Sequence, residues 1–131
     1  MNRAALKQLL PHRGTALWLD SVSQIEPTRI VGATTADCLA LYGPDCPSYL
    51  LYEAAAQLCG VHGASQSKQA KRAYVVKVQR LKIYQTVAEA KPVIVRCELL
   101  NNNGLGAQYQ FEISQDEVLL SGNLLMVIEH A

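Results

Sequence analysis

Seventeen consecutive residues in the middle of this chain, Tyr49 to Ser65, constrain what the rest can fold into. Leu, Ala, Gln and Glu dominate the stretch, it is long enough for a helix, and Ser48 stands where an N-cap would. Its middle is apolar on most of the circumference, the pattern of a buried helix rather than one lying on a surface. Ala54, Ala55, Ala56, Gly60, Gly63 and Ala64 keep that helix thin, so a sheet can wrap closely around it. The remaining sequence has to provide the sheet.

It has the segments to do so. Ala4 to Leu10 reads as a short amphipathic opening, ended by Pro11 and Gly14. Ala16 to Ile25 and Arg29 to Ala36, joined around Pro27, read as a first hairpin rich in β-branched residues. Cys38 to Ser48 is full of turn formers and is expected to be an irregular, partly exposed loop. After the helix, Tyr74 to Tyr84, Val93 to Leu100, Ala107 to Ser114 and Val118 to Ile128 read as four more strands, taken as a meander. Asn101-Asn102-Asn103-Gly104 and Gln115-Asp116-Glu117 supply turn chemistry for antiparallel pairing. Tyr109, Phe111 and Ile113 alternate with Gln108, Gln110 and Glu112, which puts one face on the core. In Tyr74 to Tyr84 the alternation slips near Gln79 and Arg80, which predicts a bulge or a change in what each face meets, as a dimer edge would explain. The fold class expected is α+β: one antiparallel sheet around one central helix, in a single domain over residues 1–131.

With 12 basic and 11 acidic residues the chain offers no overall field for nucleic acid. Asn2, Arg3, Lys7 and Gln8 interrupt the apolar character of a secretory leader, and no apolar run approaches the roughly 20 residues of a membrane span. A cytoplasmic protein with no membrane contact is expected. Cys38, Cys46, Cys59 and Cys97 show no paired spacing, and His12, His62 and His130 lie in separate contexts, so free thiols and no metal are expected. Cys59 reads as an apolar filler, Cys46 as the most reactive thiol, and His62 as a packing or surface residue.

The polar residues of the helix are therefore the informative ones. A carboxylate at Glu53 in an alanine-rich helix resists ionisation unless hydrogen-bonded, and Gln57, one turn on, can supply that bond. Tyr49, one turn earlier, completes a polar stripe. A raised Glu53 pKa would suit proton transfer near neutral pH, such as removal of a thioester α-proton or activation of water. A structural Glu–Gln pair at a dimer interface is the alternative. Backbone N–H groups at Tyr49 to Tyr52 are candidates to polarise a thioester carbonyl.

Leu10-Pro11-His12-Arg13, followed by Leu17-Trp18-Leu19-Asp20-Ser21-Val22, resembles the opening of bacterial 3-hydroxyacyl-acyl-carrier-protein dehydratases. Tyr49-Leu50-Leu51-Tyr52-Glu53-Ala54-Ala55-Ala56-Gln57 is similar to that family's central helix, and Val76 to Lys82 to its basic strand. Within it, the chain looks most like the small dehydratase-like proteins of aryl-polyene synthesis. The resemblance implies a hotdog fold, a homodimer joined edge to edge, acyl tunnels at the interface, no cofactor, and Glu53 as the catalytic carboxylate. The family's loop histidine has no counterpart between Cys38 and Ser48, and Cys46-Pro47-Ser48 replaces the usual Pro-Gly pair. Tyr42 and Asp45, ahead of Cys46 and Ser48, are the candidates to replace that histidine. His12 is a scaffold residue by resemblance and a further catalytic candidate. Tyr49, Gln57, Asp45 and Ser48 are expected at the substrate. Lys68, Lys71, Arg72, Lys77, Arg80 and Lys82 are expected to face an acyl carrier protein or the phosphates of coenzyme A. Three functions fit: dehydration of 3-hydroxyacyl thioesters, thioester hydrolysis through water activated by Glu53, and acyl binding without turnover. The last includes a subunit paired with another hotdog protein.

Overall fold

The computed structural model describes residues 1–10, 17–35, 47–66, 70–86, 91–103 and 105–130. Its elements are α1 (Arg3–Leu9), β1 (Ser21–Glu26), β2 (Arg29–Thr35), a 3-10 helix (Ser48–Leu51), α2 (Tyr52–Gln66), β3 (Ala70–Ile83), β4 (Pro92–Asn102), β5 (Gly106–Gln115) and β6 (Glu117–His130). The central helix is α2, buried from Ala54 to Cys59 and again at Val61 and His62.

The entry to this helix differs from expectation. Ser48 is not a side-chain cap. It opens the 3-10 helix, the cap position falls to Pro47 in extended backbone, and the Pro47 carbonyl accepts from the Leu50 N–H at 3.2 Å. Proline fixes φ near the value that turn needs, and the tight turn drives Leu51 fully into the core.

All six strands form one antiparallel sheet in the order β1-β2-β4-β5-β6-β3. Glu26 pairs with Arg29 across the Pro27-Thr28 turn, and Gln115 with Glu117 around Asp116, whose φ is 63°. Asn103 Oδ1 accepts from the N–H groups of Leu105 and Gly106, closing β4 onto β5. Only β4-β5-β6 is a meander. β3 lies beside β6 at the far edge, because β4 already has β2 on one side and β5 on the other. Tyr109, Phe111 and Ile113 face the core as the alternation predicts, and the slip in β3 is a register shift between Gln79 and Lys82, with Arg80 at φ 53°.

The first strand starts later than expected, at Ser21. Leu17, Trp18 and Leu19 are buried in succession, which an alternating strand does not allow. Their segment is held from three sides. Arg3 Nη1 reaches the carbonyls of Leu17 (3.2 Å) and Leu19 (3.4 Å) and the Asp20 carboxylate (3.2 Å). Thr34 Oγ1 donates to the Trp18 carbonyl, and Asp20 N–H to Ala33 O at 2.9 Å. Gln57 provides the third side.

Sheet and helix meet closely at Gly32 on β2, where a Cβ would lie 2.8 Å from Ser21 O and 2.9 Å from Leu58 Cδ1. Gly32→Ala is therefore expected to lower stability by about 1–3 kcal/mol through overpacking. A denaturant titration checks it, and an unchanged midpoint would mean that α2 slides away freely.

Candidate functional site

The polar stripe of the central helix runs from solvent to core. Tyr49 is exposed, Glu53 is partly buried and Gln57 is buried at 3% exposure. Glu53 is thus not enclosed within the single chain, and it sits in the first turn of α2. An acidic side chain is favoured there by the partial positive charge of the helix start.

The side chain that feels the Glu53 carboxylate most directly is Tyr52, its neighbour in sequence. Tyr52 is partly buried and packs against the core. Burial first, then the adjacent Glu53 carboxylate, raises its phenol above the ordinary value, with a smaller effect from Tyr49. Tyr52, Glu53 and Tyr49 thus form one cluster where the 3-10 helix becomes α2. Successive residues of a regular helix point apart, so the sequence alone gave no reason to pair Tyr52 with Glu53. The change of helix type at Tyr52 is where such a contact becomes possible.

Gln57 faces the other way. Its Oε1 accepts from the N–H groups of Trp18 at 2.9 Å and Leu19 at 3.3 Å, tying the buried Leu17–Asp20 segment to the helix. Ser48 is partly buried in the 3-10 turn ahead of the cluster. His12, Tyr42, Asp45 and Cys46 lie outside the described residues.

A second polar group sits deeper. His62 is buried at 1% exposure, with Nδ1 2.7 Å from the Tyr109 hydroxyl and Nε2 2.9 Å from the Glu26 carbonyl. A carbonyl only accepts, so Nε2 carries the proton, and a neutral ring then accepts from Tyr109 at Nδ1. At nine residues from Glu53, or about 13 Å along the helix axis, His62 belongs to the core and not to the cluster. Cys97 Sγ donates to Ala55 O at 3.6 Å, and burial, then its bond to Cys97, pushes the Cys59 thiol up. Cys59 is therefore a thiol rather than a nucleophilic thiolate.

Burial also pushes Tyr109 well above an ordinary phenol. Below the unfolded value, about 10, both states keep the proton. Above it the unfolded chain ionises while the folded chain does not, so stability falls as pH rises. Tyr52 acts in the same direction. Urea midpoints measured between pH 9 and roughly 12 are expected to fall, and to fall less steeply in Tyr109→Phe.

An open groove of about 610 Å³ lies on the outer face of the sheet, lined by Glu26, Arg29, Lys82, Arg96, Glu98 and Glu112 among others. Mixed charges suit no acyl tail. Among the described residues no group of three or more His, Cys, Asp or Glu could hold a metal ion. Nor is any described helix long and apolar enough to cross a membrane.

Residues 4–130 match the sequence pattern of the ApeP-like family, described as ApeP dehydratase. The chain belongs to the ApeP-like dehydratase family. This supports a dehydratase-like role and bears out the resemblance seen in the Pro-His-Arg opening and the Glu53 helix. Of solved structures, the ApeP-like chain is similar to one in the dehydratase heterocomplex ApeI:P from Xenorhabdus doucetiae. That match has 17% identity, covers 95% of this chain and 91% of that one, and has a TM-score of 0.83. A mutant of the thioesterase PA1618 from Pseudomonas aeruginosa has 9% identity, coverage of 100% and 96%, and a TM-score of 0.77. A hypothetical thioesterase with coenzyme A from Streptococcus pneumoniae has 11% identity, coverage of 83% and 84%, and a TM-score of 0.66. These likenesses establish the hotdog fold. No curated protein sequence matches the ApeP-like chain.

Proposed function

We propose that this protein removes water from 3-hydroxyacyl thioesters carried on an acyl carrier protein, as one subunit of a paired hotdog assembly in the cytoplasm. The observation that carries this reading is the match to the ApeP-like dehydratase family, with Glu53 in the first turn of the central helix and Tyr52 beside it. Glu53 takes the α-proton, the Cα electrons form the double bond, and the Cβ–O bond breaks. The Tyr52 phenol donates to the departing oxygen and recovers its proton from Glu53, so water leaves and both side chains return to their starting state. Its raised pKa keeps Tyr52 protonated near neutral pH. Tyr49 and Ser48 border the substrate. Tyr42, Asp45 and His12 are further candidates for the acid on the leaving oxygen. The pantetheine thioester is common to carrier protein and coenzyme A, and the structure with coenzyme A named above is of this fold. Pairing is supported by the ApeI:P heterocomplex, and the cytoplasm by the free buried thiols Cys59 and Cys97.

The thioesterase likenesses favour a second reading, in which Glu53 orients water against the thioester carbonyl. A mass-spectrometric time course with 3-hydroxyacyl and saturated acyl carrier-protein thioesters separates the two. Loss of water with the thioester intact is the expected result. Free acid from both substrates would make the protein a thioesterase, and binding without turnover a silent subunit.

A further inference from the structure

Ala55, Cys59 and His62 follow one another along α2 at spacings of four and three residues, so they share one helix face, and that face meets the sheet. Both ends of the stripe are pinned. The Ala55 carbonyl accepts from Cys97 Sγ on β4 at 3.6 Å, and His62 Nδ1 lies 2.7 Å from the Tyr109 hydroxyl on β5. Cys97 and Tyr109 are neighbours in turn. Cys97 pairs with Phe111 and Leu99 with Tyr109, which sets the two on the diagonal of adjacent strands, both buried against the helix. Cys59, between the two pinned positions, is therefore held over Cys97.

The two thiols act on each other and on the phenol beside them. Burial first, and then Cys97, raises the Cys59 thiol, and after burial both cysteines raise Tyr109. Both cysteines are free, at 2% and 1% exposure. Strand and helix also come close at this point, because a single cysteine side chain spans from β4 to a backbone carbonyl of α2. A disulfide needs such an approach, with its Cα atoms about 4.4–6.8 Å apart. The expected role of Cys59 as an apolar filler accounts for its burial but not for a second thiol laid against it. Cys97 also lines the open groove on the outer face, so on that side β4 itself is what separates the pair from water.

We propose that Cys59 and Cys97 are a dithiol that peroxide closes to a disulfide inside the folded chain, a latch between the central helix and β4 that small thiols reopen. Hydrogen peroxide accepts two electrons from the pair. One sulfur attacks a peroxide oxygen, the O–O bond breaks, and the hydroxide released takes that sulfur's proton and leaves as water. The other sulfur then displaces oxygen from the resulting sulfenic acid, its own proton departs with that oxygen as a second water, and the S–S bond remains. Peroxide suits a buried pair because it is nearly as small as water. In a reducing compartment such a bond is transient and answers oxidation. The loop it closes, from Cys59 to Cys97, is long enough for the bond to hold the fold together.

The test treats the folded chain with hydrogen peroxide, blocks the remaining thiols and maps the cysteine peptides by mass spectrometry. The expected product is the Cys59 peptide joined to the Cys97 peptide, lighter by two hydrogens. The same oxidation in guanidinium, where no fold selects partners, should spread the bonds over Cys38, Cys46, Cys59 and Cys97. A chain carrying Cys38→Ser and Cys46→Ser should still give the product, and Cys97→Ala should lose it. The cross-linked chain is expected to melt roughly 5–15 °C above the reduced one, and dithiothreitol to reverse the shift. Sulfinic or sulfonic acid at Cys59 or Cys97 in place of the bond would overturn the proposal. So would bonds from either residue to Cys38 or Cys46 in the folded chain, no reaction short of unfolding, or a cross-linked chain that melts no higher than the reduced one. If the variants do not fold, the peptide map of the unmodified chain decides alone. No readout needs turnover, so a failure here leaves the dehydratase reading standing.

Discussion

Glu53→Gln is expected to cut the dehydration rate by on the order of 10²–10⁴-fold, the contribution typical of one positioned acid–base group. The amide keeps the shape of the carboxyl, but it cannot take a proton. Stability is expected to change little. Glu53 is only partly buried, and a carboxylate in a first helical turn is worth about 0.3–1 kcal/mol against the helix dipole. Tyr52→Phe tests the relay separately. It leaves the base in place and removes the phenol, so kcat should fall with KM little changed, by less than the loss at Glu53. The measurement is the steady-state rate of enoyl thioester formation in the three proteins, alongside their thermal melts. Full turnover by Glu53→Gln would remove this carboxylate from the chemistry.

The sequence made the frame readable because its signals were local. An apolar stretch of alanine and glycine can only be a helix inside something, and α2 is buried accordingly. Strict alternation in Tyr109, Phe111 and Ile113 oriented β5. The position of β3 was harder, since which free edge a strand joins depends on what the other strands have already occupied. Turn chemistry reports only on neighbours in sequence. The site was legible in the same uneven way. Glu53 stood out as a carboxylate in an alanine-rich helix, whereas Tyr52 was hidden by the assumption that one helix type runs through Tyr49 to Ser65. The His62–Tyr109 contact joins a helix to a strand 47 residues away, and no spacing pattern announces it. Gln57 was visible as polar, but its direction was not. That depended on the backbone N–H groups of Trp18 and Leu19, in a segment with three buried residues in a row.

Gln57→Met is consequently expected to cost about 2–5 kcal/mol of stability. The methionine closely matches glutamine in volume, so no cavity of consequence forms and the change removes the amide, including the acceptor of the Trp18 and Leu19 N–H groups. Trp18 N–H and Leu19 N–H both depend on Gln57 Oε1 in a site that is 3% exposed. Leaving a buried donor unsatisfied costs about 1–3 kcal/mol each. For a chain of this length the expected fall in Tm is roughly 10 °C. The same variant separates two roles for this residue. If Gln57 holds the Leu17–Asp20 segment, then well below its melting temperature Gln57→Met should bind and turn over substrate with nearly unchanged KM and kcat. If it contacts the acyl thioester, KM will rise at temperatures where circular dichroism shows the fold intact. The geometry of Oε1, facing the backbone of Trp18 and Leu19, makes the first the expected result.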